Sequence, residues 1–306
     1  MEHSGGISPI EVVDFPVEQN VGAAESPLAR AWRRFCRHKL AVASLIFIGL
    51  ISLMGIFAPV FAPKDPIKTS LRDSLVPPSS VYWLGTDGVG RDVWSRTVYS
   101  IRVSLSVGLV AVGISVVIAV LVGTLSGYYG NVIDMTLMRL TDIVMTIPGL
   151  VIIMIAVALL GPSIYNVMAA IGLLGWPGMA RLLRAQILSV RERDFVRAAQ
   201  SIGVSNWRIM IRHILPNSIA PVIVAATFGV AGAILTEAAL SFLGFGVLPP
   251  TPSWGNMLNA ARSLSRLQDN PWFWLPPGVM ILVTVLAINF IGDGLRDALD
   301  PHTTMD

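Results

Sequence analysis

Five long segments of this chain contain no charged residue. They run from Leu40 to Pro63, Val103 to Ile133, Ile143 to Ala180, Asn217 to Thr236 and Pro271 to Gly292. A helix that crosses a bilayer needs about 20 apolar residues, and each segment is long enough. Charged residues make up 13% of the chain and hydrophobic residues 54%, whereas soluble domains are roughly 25% charged. These features predict an all-α, polytopic integral membrane protein.

The charge-free segments must be divided and extended to give whole spans. The segment from Ile143 to Ala180 is too long for one span, and Gly161, Pro162 and Ser163 provide a turn within it. A second turn is predicted at residues 127–131. The resulting expectation is six transmembrane helices, at 40–61, 103–126, 134–158, 163–185, 217–240 and 272–294.

Basic residues predict the orientation, because those that flank spans stay in the cytoplasm. One group precedes the first span, and a second group follows the fourth: Arg30, Arg33, Arg34, Arg37 and Lys39, then Arg181, Arg184, Arg191, Arg193, Arg197, Arg208 and Arg212. An even number of spans between the groups puts both groups and both termini in the cytoplasm. The basic residues within 62–102 are an exception, because this segment is then external.

The same scheme divides the chain into four parts. Residues 1–29 are expected to be a disordered cytoplasmic tail, and 30–100 an N-terminal region with the first span and an external segment. Residues 101–296 hold the other five spans and a cytoplasmic loop at 186–216. Residues 297–306 form a second cytoplasmic tail.

Composition and motifs disfavour several classes of function. Cys36 is the only cysteine, so neither a disulfide framework nor a thiolate metal site is available. The net charge is only +3, and the basic residues cluster beside spans, which disfavours nucleic-acid binding. No catalytic constellation stands out, and His213 lacks a second ligand at metal-binding spacing. We expect a chain that is not itself an enzyme and holds no metal or cofactor.

The stretch GTDGVGRD, which begins at Gly85, is similar in spacing to a phosphate-binding loop. Such a loop requires Lys followed by Ser or Thr after its second glycine, and Arg91 and Asp92 stand there instead. Nucleotide binding by this segment is therefore not expected.

The charged stretch DFVRAAQSIGVSNWRIMIRHILPN, Asp194 to Asn217, interrupts the apolar pattern. Phe195, Ala198, Ala199 and Ile202 recur at helical spacing and predict one apolar stripe. Gly203 is expected to end this helix. Ser205 can cap a second helix that contains Trp207, and Pro216 suits the first turn of the following span. The pattern predicts a rigid elbow, although periodicity alone equally fits an amphipathic linker on lipid headgroups.

The spacing of Ala198, Ala199, Gly203, Leu215 and Pro216 resembles the EAA loop of ATP-binding cassette (ABC) importer permeases. WLGTDGVGRDVWSR, ALSFLGFGVLPPTPSWGNML and NFIGDGLRDALDP resemble further stretches of the dipeptide and oligopeptide permeases of the DppC/OppC type, over roughly residues 30 to 301. The chain departs from the general pattern at Arg197, where the family has glutamate, and at His213, where it has isoleucine.

This resemblance implies a type I ABC importer permease fold. It also implies that the 186–216 loop carries a helix that couples the spans to an ATPase, through Asp194, Phe195, Arg197, Ala198, Ala199, Gly203, Trp207 and Pro216. The chain would be a permease subunit for di- or oligopeptides in a bacterial or archaeal cytoplasmic membrane.

The implied partners are a second homologous permease, two ATPases that bind ATP and Mg²⁺, an external substrate-binding protein, membrane lipid and the peptide itself. Three alternatives remain open: a nickel or other small-solute importer of the same family, an ion-driven secondary transporter, and a purely structural membrane subunit.

Asp134, Arg139 and Asp142 lie in the predicted third span, where charge is costly and often functional. Arg139 and Asp142 are three residues apart and can pair along one helix face. The three residues are expected either to line a proton or substrate path or to form an ion pair that fixes helix packing.

Glu237 is expected near the outer end of the fifth span. There it would either contact substrate or an outer gate, or reach water at the interface. In the Gly- and Pro-rich loop 242–271, Ser253 and Trp254 are expected to act in gating or docking. Trp272 and Trp274 are expected to anchor their helix at the membrane interface.

Overall fold

A computed structural model describes residues 27–300, which contain no β-strand and one isolated antiparallel bridge between Thr86 and Asp92. Their α-helices are α1 Pro27–Arg37, α2 Lys39–Ile56, α3 Ala58–Phe61, α4 Val93–Tyr129, α5 Asn131–Thr146, α6 Gly149–Leu160, α7 Ile164–Leu174, α8 Pro177–Arg191, α9 Asp194–Ser201, α10 Asn206–Ile209, α11 Leu215–Ser218, α12 Ala220–Leu243, α13 Trp254–Asn259, α14 Leu264–Asp269 and α15 Pro271–Leu299. A 3₁₀ turn occupies Leu71–Asp73, and a π-helical segment Met210–Ile214.

The central element of the bundle is α4, which packs against α2, α7, α8 and α12. The Asp92 carboxylate caps its first turn by accepting a hydrogen bond from the Ser95 amide at 2.8 Å. Small residues on α4 allow neighbouring backbones to approach closely. A Cβ added at Gly123, for example, would lie 2.7 Å from the carbonyl oxygen of Ala180 on α8.

The first and last described helices meet at one end of the bundle. Phe35 and Ala41 pack with Ala298 of α15, and Arg34 donates a hydrogen bond to the Asp300 carbonyl oxygen at 2.9 Å. The two ends of the described chain therefore lie at the same end of the bundle, and the cytoplasmic location of the termini remains a prediction.

Four described helices, α2, α4, α12 and α15, are long and apolar enough to cross a membrane. The pair α5 and α6 adds a fifth candidate span if it is counted as one broken element. The expected number of six is therefore not confirmed. The predicted first span corresponds to α2 together with α3, and the second to α4. The predicted fifth span corresponds to α12 and the sixth to α15, and all of these bounds are shifted.

The predicted single helix at 134–158 is wrong. The chain is helical from Asn131 to Thr146, bends by 83° and resumes as α6. Pro148 explains the break, because it disfavours helical geometry in the residue before it and supplies no backbone N–H. Ile147 is accordingly extended, with φ −96° and ψ 136°.

The predicted helix at 163–185 is also divided, into α7 and α8, with Pro177 in the first turn of α8. The turn predicted at Gly161 is confirmed by its φ of +90°, and Ser163 caps α7 by accepting from the Tyr165 amide. The turn predicted at 127–131 is confirmed at Gly130, φ +65°. Residues 1–26 and 301–306, which hold most of both predicted tails, lie outside the described residues.

Candidate functional site

The 186–216 loop contains a short helix with a well-formed end. Helix α9 stops after Ser201, and Gly203 has φ +76°. The amide of Val204 donates to the Ala199 carbonyl at 3.1 Å, and the amide of Gly203 to the Gln200 carbonyl at 3.0 Å. This is the Schellman arrangement, which needs a residue that tolerates positive φ. The predicted stop at Gly203 is confirmed.

Beyond Gly203 the chain returns to the bundle through a nearly continuous helical path. Ser205 is the residue before α10, but its side chain does not make the predicted capping hydrogen bond. The π-helical segment and α11 follow α10, and α12 begins at Ala220. Pro216 lies in the first turn of α11. Proline cannot donate to the carbonyl four residues earlier and its ring clashes with that carbonyl, which accounts for the widened π turn just before it. The predicted elbow is present, with a π turn that was not predicted.

One side of the 186–216 loop packs on the bundle. Val196, Ala199, Ile209, Met210 and Ile214 are buried, and they form a cluster with side chains of α4 and α8. The predicted single stripe is therefore split: Ala199 faces the bundle together with Val196, whereas Ala198 is exposed. The split arises because α9 packs on the bundle through the face that carries Val196 and Ala199, and helical spacing alone does not indicate which face packs.

The other side of this loop leaves apolar side chains exposed. Phe195 is 42% exposed, Trp207 66% and Ile202 81%. We name Phe195, Ile202 and Trp207 the exposed apolar set. Three large apolar side chains exposed on one short ordered loop make it a candidate for contact with another molecule.

Polar contacts fix the loop against the end of α4. The Tyr128 hydroxyl donates to the Asn206 side-chain oxygen at 2.9 Å, and Arg191 donates to the Tyr128 carbonyl at 2.9 Å. Arg197, at the family's glutamate position, forms an exposed ion pair with Glu192 at 3.0 Å, and its hydrogen bond lowers the pKa of the Glu192 carboxyl. Sequence patterns do not indicate the roles of Tyr128, Arg191 and Asn206, because the partners of these residues are distant in sequence.

A charged groove of about 440 Å³ lies between α5 and α8. It is lined by Asp134, Met135, Met138, Arg139, Asp142, Arg181 and Arg184. Arg184 donates two hydrogen bonds to the Asp134 carboxylate, and Arg181 forms an ion pair with Asp142. The predicted pair between Arg139 and Asp142 does not form, because α8 supplies a closer partner for Asp142.

Glu237, on α12, is fully buried, so the expectation that it reaches water is wrong for this chain. Its carboxylate accepts a hydrogen bond from the Ser241 hydroxyl at 2.7 Å, and that hydroxyl accepts from the Val247 amide at 3.0 Å. The carboxylate therefore connects α12 to the loop that follows it. Contact with a gate or a substrate remains a prediction.

Ser253 and Trp254 are buried as well, so neither side chain offers a docking surface. Ser253 caps α13 in a capping box with Asn256, and the Trp254 indole donates to the Thr97 carbonyl of α4 at 3.2 Å. These contacts fix α13 against α4. A gating role for the two residues remains a prediction.

The GTDGVGRD segment forms a loop around its own aspartate. The Asp87 carboxylate accepts from the amides of Val89 and Arg91, each at 3.0 Å, and from the Arg91 guanidinium at 2.7 Å. The amides that a phosphate would need are thus occupied by a carboxylate. The Trp272 indole donates to the Thr86 carbonyl at 3.3 Å, which attaches α15 to this loop. Its anchoring at the membrane interface remains a prediction.

Arg96 lies beside that loop and is 2% exposed, and no local sequence pattern indicates its burial. Its guanidinium donates to the Pro66 carbonyl at 3.0 Å, contacts the Asn256 side-chain oxygen at 3.5 Å and lies 3.7 Å from the Asp87 carboxylate. Arg96 therefore joins the 62–92 segment, α4 and α13. We name Asp87, Arg96, Trp254 and Asn256 the buried network.

Comparison with known proteins gives matches over nearly the whole chain. Residues 115–305 match the family described as "Binding-protein-dependent transport system inner membrane component". Residues 26–78 match the "N-terminal TM domain of oligopeptide transport permease C".

Three curated relatives are similar along almost all of their length. A putative peptide permease protein of Brucella suis is 43% identical, covering 94% of this chain and 95% of the relative. A dipeptide transport system permease protein, DppC, of Alkalihalophilus pseudofirmus is 43% identical, covering 94% and 93%. An oligopeptide transport system permease protein, OppC, of Bacillus subtilis is 38% identical, covering 94% and 95%.

The fold is also similar to that of a solved transporter structure. A chain in an inward-facing structure of the MetNI methionine ABC transporter aligns with a TM-score of 0.50 and 15% identity, covering 67% of this chain and 97% of that chain. At this identity the match supports the fold alone, and it agrees with the expected type I ABC importer permease architecture.

Proposed function

Because this chain belongs to the family of inner membrane components of binding-protein-dependent transport systems, we propose that it is a permease subunit of an ATP-driven peptide importer. Relatives named as dipeptide and oligopeptide permeases at 43% and 38% identity support the substrate class. The chain would form half of a translocation pathway in a bacterial or archaeal cytoplasmic membrane, with six spans and both termini cytoplasmic.

The observation that carries this proposal is the two-sided 186–216 loop, which we name the coupling loop. Its buried side packs on α4 and α8, and its exposed side presents Phe195, Ile202 and Trp207. If a partner displaced the exposed side, the displacement would be transmitted to the bundle. The reason is that the loop is closely packed on the bundle and cannot deform freely at the Gly203 turn. The loop therefore has the form of a mechanical link between a partner and the spans.

In this mechanism the chain itself does no chemistry. Two partner ATPases hold ATP and Mg²⁺, and their closure on ATP moves the coupling loop. A second, homologous permease completes the pathway, and an external binding protein delivers the peptide. ATP drives the change only if the inward- and outward-open states bind it with different affinity.

The charged groove between α5 and α8 is the part of this chain that best suits contact with a hydrated solute. The broken span supports this assignment, since irregular backbone at membrane depth is tolerated where it is covered by protein or lines a water-filled cavity. Residues 145–150, around the break, are exposed in this chain. Asp134, Arg139 and Asp142 would then line the pathway on the side of the coupling loop.

Reconstitution into vesicles tests the proposal. We expect accumulation of a labelled dipeptide only when the second permease, the ATPases, the binding protein and ATP are all present. An uncoupler should leave accumulation unchanged, whereas it would abolish transport by an ion-driven carrier. Uptake of peptide by this chain alone, or uptake of nickel in preference to peptide, would refute the proposed function.

A further inference from the structure

The charged groove lies at the same end of the bundle as the coupling loop. Helix α5 begins directly after the Gly130 turn, next to Tyr128, which bonds Asn206 of the loop. Asp134, in the first turn of α5, is held by Arg184. Asp142 lies about two turns further along α5. The groove therefore extends from the loop end of α5 toward the break at Ile147 and Pro148.

The charged lining of this groove does not suit contact with the hydrocarbon core of a bilayer. Asp142 and Arg181 are 49% and 46% exposed at their side chains, and charged groups inside a bilayer are costly unless they face a cavity that contains water or a protein partner. The apolar side chains of α5, among them Val132, Leu140 and Ile143, are exposed elsewhere on the same helix. Helix α5 therefore has one apolar face and one charged face, and the charged face lines the groove.

The charges of the groove do not balance within residues 27–300. Its two carboxylates, on Asp134 and Asp142, are each held by an arginine of α8. Arg139 is exposed, and within residues 27–300 it forms no ion pair. A guanidinium is always charged and binds carboxylates well, because its fork of N–H groups matches the two oxygens. Among the described residues, Arg139 is therefore the cation of this groove that has no ion-pair partner.

We propose that Arg139, whose guanidinium has no ion-pair partner within residues 27–300, binds the terminal carboxylate of the peptide during its passage. Every unmodified peptide carries a carboxylate at its C-terminus, and Arg139 can accept this group without losing an ion pair to another described residue. This inference rests on the proposed function.

The test uses the complete complex in vesicles and two forms of one dipeptide, the free acid and its C-terminal amide. Each form is loaded on the binding protein to measured saturation, and peptide accumulated per ATP hydrolysed is recorded. We expect Arg139→Gln to lower delivery of the free acid about 3- to 10-fold, because the variant loses the charge-assisted hydrogen bonds to the carboxylate. The loss is limited because an ion pair in contact with water contributes less than a buried one. Delivery of the amide should change less than about 2-fold, because the amide has no C-terminal carboxylate for Arg139 to bind.

Two matched variants sharpen the result. Arg139→Lys keeps the charge and should retain most of the delivery of the free acid. Arg30→Gln removes an exposed cation of α1, outside the groove, and should change neither peptide. Equal loss of both peptides in Arg139→Gln would mean that Arg139 instead holds an anionic lipid or the second permease, and would overturn the inference.

The unaltered complex supplies a second measurement that does not depend on folding of a variant. If it delivers the free acid and the amide equally well per ATP, the carboxylate is not recognised in the pathway and the inference is wrong. A failure of the proposed function looks different, because then no form of the peptide accumulates with ATP and the binding protein does not stimulate hydrolysis.

Discussion

The coupling loop and the buried network use the same residue types under opposite conditions. Trp207 in the loop is 66% exposed, whereas Trp254 in the network is fully buried and bonded to Thr97. Arg197 forms an exposed pair with Glu192, whereas Arg96 is 2% exposed and contacts three other groups. The polar atoms of the buried network form hydrogen bonds within the protein, whereas the coupling loop leaves large apolar side chains exposed. The buried network is suited to holding helices in fixed positions, and the coupling loop is suited to binding a partner.

The two tryptophans give the largest expected difference. Trp254→Ala should lower the free energy of unfolding by about 3–5 kcal/mol, since it removes a fully packed indole. Trp207→Ala should change stability by less than about 0.5 kcal/mol, as exposed positions usually do, and yet reduce ATP-driven uptake. Unfolding in mixed detergents and vesicle uptake measure the two effects. Similar loss of stability in both variants would erase the distinction between loop and network.

A pair of glycines tests whether the shape of the loop matters. A Cβ at Gly203 or at Gly232 of α12 would meet no atom within 4 Å, but only Gly203 has a positive φ. Gly203→Ala should therefore strain the turn by about 1–2 kcal/mol. Gly232→Ala should be neutral or slightly stabilising in a helix.

The readout for the glycine pair is peptide delivered per ATP. We expect it to fall in Gly203→Ala and to stay unchanged in Gly232→Ala, with both chains present at normal levels. Equal transport by the two variants would show that the Gly203 turn is not part of the link.

The ion pair between Asp134 and Arg184 should give a small effect, because its side chains are 18% and 32% exposed. A double-mutant cycle with Asp134→Asn and Arg184→Gln should yield a coupling free energy of about 0.5–1 kcal/mol. Unfolding of the two single variants and the double variant measures it. A coupling of several kcal/mol would indicate that the groove is a dry structural brace like the buried network, and would count against a water-filled pathway.

Much of the membrane architecture follows from local sequence signals. The charge-free segments locate α2, α4, α12 and α15, and Gly203 and Gly161 end helices where expected because left-handed backbone favours glycine. The break at Pro148 was missed, since the apolar pattern continues across it and hydropathy does not register a bend.

The pairing of side chains was far harder to foresee. Asp142 was expected to pair with Arg139, its near neighbour, but Arg181 on another helix holds it. The burial of Arg96 likewise depends on groups from the 62–92 segment and α13. Such contacts are fixed by how helices pack, and helical spacing in one sequence describes only neighbours on the same helix.

The central claim is that a partner ATPase grips the exposed side of the coupling loop. Its most direct measurement is the amount of ATPase that co-purifies with Ile202→Asp, compared with Ile67→Asp, which alters another exposed isoleucine, in the 62–92 segment. A charge at the contact should expel the ATPases from Ile202→Asp, while Ile67→Asp retains them in normal amount. Full retention of the ATPases by Ile202→Asp, with normal peptide uptake, would contradict the account.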